Sequence, residues 1–90
     1  MTHHRVQLQV PPDVAWDRLQ AVAASVGTIE AADPATKTLV VRKRRALGPV
    51  RLRASVLTAG SAGASVVDIE GGGVLSRRQM ARLVARLTHS

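Results

Sequence analysis

The chain has 90 residues, with one Trp, no Phe or Tyr, no Cys, and a net charge of +7 from 13 Lys and Arg against six Asp and Glu. That length suits a single small domain, residues 1–90, with a core of Val, Leu, Ala, Ile and Met; lacking Cys, it has no disulfide, thiolate metal site or cysteine nucleophile. The first residues alternate instead of forming an apolar signal core, and no run nears the roughly 20 apolar residues of a membrane span, so a cytoplasmic protein is expected.

Residues 5–10 alternate, with Val6, Leu8 and Val10 on one face and Arg5, Gln7 and Gln9 on the other, the pattern of a half-buried strand. Pro11 and Pro12 end it and suit the first turn of a helix, where a missing N–H costs nothing. Asp13 and Asp17 follow, where the helix dipole favours negative charge. Ala15, Leu19, Val22 and Val26 then recur at helical spacing, and Trp16 and Ala23 widen the stripe. Gly27 is expected in the left-handed conformation just past the helix end.

Residues 28–33 read as a short strand with Ile29 and Ala31 inward, and Asp33-Pro34-Ala35-Thr36-Lys37 as a turn. Residues 38–45 form the third strand, and Gly48-Pro49 breaks the chain. Residues 50–57 form the fourth, with Val50, Leu52, Ala54 and Val56 inward. After the TAGSAG loop, residues 64–70 form the fifth, with Val67 and Ile69 inward and Asp68 and Glu70 outward. Beyond Gly71-Gly72-Gly73, Ser76 and Gln79 have capping-box spacing, with Leu75 and Met80 as the hydrophobic staple, so a helix is predicted from Arg77. Met80, Leu83, Val84 and Leu87 form its apolar stripe, and Arg78, Arg82 and Arg86 run along a flank. The fold class is therefore α+β, in the order β-α-β-β-β-β-α: a five-stranded antiparallel sheet covered on one face by two helices.

Seven of the 13 cations lie between Lys37 and Arg53. A four-residue loop in the hairpin of the third and fourth strands would set Arg44 opposite Arg51 and Arg42 opposite Arg53. Pairing Leu57 with Ala64 in the next would set Arg53 opposite Asp68 and Arg51 opposite Glu70. Arg42 and Arg44 then have no carboxylate neighbour, while Lys43 and Arg45 share the parity of Leu39 and Val41 and belong to the core rim. Such a surface suits an anion, although edge cations also deter aggregation and an Arg-rich, Ala-rich composition can be basic without any partner.

The element order, the run PPDVAWDRLQ opening the first helix, and a capped final helix after a glycine run resemble a helix-grip domain. The resemblance is to the START/polyketide-cyclase (SRPBCC-like) superfamily, in reduced form. The same order is similar to one half of the TATA-binding protein. The helix-grip resemblance implies an apolar ligand between sheet and final helix, with Trp16, Met80, Leu83, Val84 and Leu87 as the ligand layer. The TATA-binding resemblance implies contact of the sheet face with nucleic acid, although no Phe is present to act as a wedge.

Catalytic constellations are missing from the sequence. His3, His4 and His89 lie at the termini, where fraying is expected, so neither a triad nor a metal site is predicted, and no cofactor is expected. Asp68 and Glu70 could mimic a carboxylate pair, but with arginines expected across the strand they read as a salt-bridged surface. The glycine run lacks the Lys of a phosphate-binding loop. Arg77 and Arg78 nevertheless stand in a first helical turn, where the dipole opposes cations. The expectation is a non-enzymatic module binding an anionic partner (a nucleic-acid backbone, an acidic protein or an anionic membrane) through Arg42, Arg44, Arg51 and Arg53, with Lys43, Arg45, Arg77 and Arg78. The alternatives are a small apolar-ligand binder using the layer under the final helix, or an oligomerising domain joined at the edge of the second strand.

Overall fold

In the computed structural model, residues 2–45, 48–58, 60, 63–71 and 74–89 are described, with side chains for all of these except 2, 45, 48, 49, 74–76 and 89. The elements run β1 (Thr2–Leu8), α1 (Pro12–Val26), β2 (Thr28–Asp33), β3 (Thr38–Arg45), β4 (Gly48–Thr58), β5 (Ser65–Gly71) and α2 (Val74–His89). This is the expected α+β order. The five strands form one antiparallel sheet in the order β1-β5-β4-β3-β2, so β1 and β2 are its two edges and α1 carries the chain from one edge to the other.

The core lies between this sheet and the helices. Ala15, Trp16, Leu19, Val22, Ala23 and Val26 of α1 are buried, as are Met80, Leu83 and Leu87 of α2. They meet Val6 and Leu8, Leu39 and Val41, Leu52, Ala54 and Val56, and Val67 and Ile69 from the inner face of the sheet. Period-two alternation in the strands and a 3.6-residue stripe in the helices select these side chains, and both are readable in the sequence.

Several local expectations need correction. Strand β1 begins at Thr2 because it pairs with β5 as far as Gly71, and it ends at Leu8. His3 and His4 therefore belong to a strand, not to a frayed terminus. Gly27 is extended (φ −166°, ψ −154°) instead of left-handed. Glycine is required there by close approach: a Cβ would stand 2.5 Å from the backbone oxygen of Arg42. Helix α2 starts at Val74, three residues before the expected start, so Ser76 lies inside the helix; the side chains of the expected cap and staple, Ser76 and Leu75, lie outside the described residues. Ala59, Ser61 and Ala62 of the TAGSAG loop, with Gly72 and Gly73, lie outside them as well.

Both hairpin registers differ from expectation by two. Residues 46 and 47 alone separate β3 from β4, which pairs Val41 with Leu52 and Arg42 with Arg51. Gly48 and Pro49 thus belong to β4, and pairing with β5 starts only at Leu52, so a strand-opening proline is accommodated. In the next hairpin Thr58 pairs with Ser65, setting Arg53 opposite Glu70 and Ser55 opposite Asp68. Ser65 is fully buried and its hydroxyl donates to the Val10 carbonyl at 2.5 Å, a bond that ties the start of β5 to the connection between β1 and α1. An even shift preserves parity, so every inward residue predicted for β4 and β5 stays inward.

Strand β2 departs in parity as well. A bulge between Ile29 and Ala31 sets Ile29 opposite Val41 but Ala31 opposite Val40. Ala31, expected inward, is exposed, and Ile29 is half-buried. The following turn is held by the Ala35 N–H donating to Asp33 Oδ1 at 3.0 Å and closes on Lys37 at φ 51°. Lys37 Nζ also lies 3.4 Å from Asp13 Oδ1, linking this turn to the start of α1. Among the described residues, no helix is long and apolar enough to cross a membrane.

Candidate functional site

The anion-binding residues predicted from sequence separate onto two faces. Arg42 and Arg44 on β3 and Arg51 and Arg53 on β4 are exposed and alternate with the buried Leu39, Val41, Val50 and Leu52, so they stand on the sheet face away from the helices. Arg77 and Arg78 are exposed on α2, across the sheet from that quartet. Lys43, half-buried, has the inward parity of Val41 and is engaged by a neighbour. The side chain of Arg45 lies outside the described residues.

The carboxylate partners are not those the expected registers gave. Glu30, at the β2 bulge, brings Oε2 to 3.0 Å from Arg51 Nε and 3.8 Å from Arg42 Nε. One carboxylate therefore bridges the two arginines that face each other across β3 and β4. Asp68 instead engages His3 and Arg5, the latter at 3.9 Å. Among the described residues Arg44 and Arg53 make no ion pair, so within this quartet the cations without a mate are Arg44 and Arg53 instead of Arg42 and Arg44. Sequence reasoning missed Glu30, although adjacent Ala31 and Ala32 in TIEAAD interrupt the alternation of a regular strand, which was the available signal.

The expected ligand layer also divides. Leu83 and Leu87 are 0% exposed, as are Leu19, Val67 and Ile69. Side chains at that limit touch no water-sized space, inside or outside, so the layer directly beneath α2 is filled where they lie. Trp16 is buried in the same core. Met80 and Val84, however, also face outward into an open groove of about 380 Å³ on the flank of the molecule, between α2 and the β1 edge. Ala81 and Ala85 extend its apolar lining, and Arg77 and His4 are its polar members. Residues 77, 80, 81, 84 and 85 share one side of α2 by i, i+3, i+4 spacing. His4 has the parity of Val6 and Leu8, which turns it toward the helix side at the open edge of β1. By position in the sequence His4 belongs to a fraying end, and only the pairing of β1 with β5 places it here.

A second open depression, of about 530 Å³, lies at the β2–β3 end and is lined by Ala31, Ala32, Asp33, Thr36 and Arg53, among others. Thr38, Leu39 and Val40 complete its lining, which sets apolar strand residues beside polar ones and Arg53.

No protein-family model and no curated protein matches the sequence. Among solved structures, the chain is similar to the di-domain ARO/CYC StfQ from the steffimycin biosynthetic pathway, at 10% identity and a TM-score of 0.51. The match covers 99% of this chain and 44% of that one. At such identity the likeness concerns the fold alone, a helix-grip-like α+β layer pair.

Proposed function

We propose that this chain is a small-molecule binder that holds an apolar ligand in the groove between α2 and the edge of β1. The carrying observation is the groove itself. Its volume of about 380 Å³ falls within the roughly 300–1,000 Å³ typical of ligand sites, and Met80, Ala81, Val84 and Ala85 form an apolar wall. A fold shared with a polyketide cyclase supports an apolar or polyketide-like ligand, carried here on the flank of α2 because the layer beneath the helix is filled by Leu83 and Leu87. Titration with 1-decanol followed by amide NMR tests the reading. The Met80, Ala81, Val84 and Ala85 signals are expected to shift, and Ala81→Trp, at an exposed position, to abolish the shift by filling the groove. Shifts confined to other residues, or none up to the solubility limit of the alcohol, would sink it.

A second reading rests on the outer sheet face. Four exposed arginines there have one bridging carboxylate, Glu30, and Arg44 and Arg53 have no ion pair among the described residues. This face would hold an anionic partner through phosphate-type contacts, with steep salt dependence and little sequence information. Retention on heparin across a salt gradient tests it. An Arg42/Arg44/Arg51/Arg53 to Ser variant is expected to elute much earlier, and unchanged retention rejects the reading.

A further inference from the structure

We infer that the groove on the flank of α2 selects a single-chain amphiphile with a carboxylate head, held between Arg77 and His4; this rests on the groove reading above. Among the described residues, the two polar side chains that line the groove are nitrogen donors, and no carboxylate lines it. A guanidinium offers a planar fork of N–H groups that matches a carboxylate, and an imidazole N–H can complete the set. Neither Arg77 nor His4 is drawn off by an ion pair among the described residues. Arg77 also lies near the N-terminal end of α2, where the dipole disfavours an unpaired cation and favours a bound anion. The apolar wall accepts the tail of the same molecule. At about 30 Å³ per non-hydrogen atom, the figure for liquid water, about 380 Å³ holds on the order of a dozen atoms, the size of a ten-carbon fatty acid.

Calorimetric and NMR titrations with sodium decanoate and with 1-decanol, both below their aggregation limits, separate head from tail. Wild-type protein is expected to bind decanoate about tenfold or more tightly than decanol, the scale of one charge-assisted contact. The double variant His4→Gln/Arg77→Gln, at two exposed positions, should reduce decanoate to the level of decanol. Equal affinity of the wild type for both overturns the carboxylate head while leaving the apolar groove standing. A decanoate preference that survives in the double variant overturns the assignment of these two residues. Binding of neither compound removes the groove reading and this inference together.

Discussion

The two edges of the sheet solve the same problem by different means. Strand β1 is anchored by its side chains: Val6 and Leu8 are buried, and its ladder with β5 runs in register from Thr2 to Leu8. Strand β2 has no fully buried side chain, only half-buried Ile29, and its ladder is broken by a bulge at Glu30. A regular edge keeps its inner parity to the last residue, which is what delivers His4 to the helix side. A bulged edge loses parity, twists, and frees a side chain to reach elsewhere, which delivers Glu30 to Arg42 and Arg51. Each edge thus ends with one carboxylate between two basic side chains, but only the β1 edge contributes fully buried side chains to the core.

The sharpest way to break this comparison is truncation. Leu8→Ala is expected to cost about 2–5 kcal/mol in denaturant unfolding, and Ile29→Ala, on the half-buried edge, clearly less. Equal losses would show that β2 is anchored in the core as firmly as β1. Next in size is Gly27→Ala, at the entry to β2. The added methyl meets the Arg42 backbone oxygen, which cannot swing aside, so a loss of about 1–3 kcal/mol is expected. In a domain of this size that lowers the melting temperature by roughly 4–8 °C per kcal/mol. A melting temperature at or above wild type would mean that the junction yields freely.

The charged clusters should respond least. Asp68, at 19% side-chain exposure, sits deeper than Glu30 at 38%. Asp68→Asn is expected to cost more than Glu30→Gln, each within about 1 kcal/mol and each shrinking in high salt. The reverse order in a thermal melt would put the stronger electrostatic tie on the bulged edge. Glu30→Gln carries a second readout: by unbridging Arg42 and Arg51 it should delay elution from heparin. Unchanged elution would mean that the outer arginines do not act as one surface.

Much of the fold is legible in the sequence at the level of pattern. The stripes of α1 and α2 and the inward residues of β4 and β5 follow from spacing alone, since burial selects side chains at periods of 3.6 and two. The site is legible only in part. Met80 and Val84 can be found as members of an apolar stripe, but a stripe does not say which members face the core and which face the flank. His4 and Arg77 are 73 positions apart, and no local signal connects them.

By itself, then, the sequence determined the element order, the inner face of each regular strand and the concentration of cations near the β3–β4 hairpin, because these depend on local periodicity and composition. Only the tertiary structure decided the strand registers, the Glu30 bulge, the extended Gly27 and the meeting of β1 with α2. Those depend on which backbone lies alongside which. A two-residue shift leaves every inward side chain in place yet changes each arginine's neighbour, so the core tolerates the ambiguity and the charged surface does not.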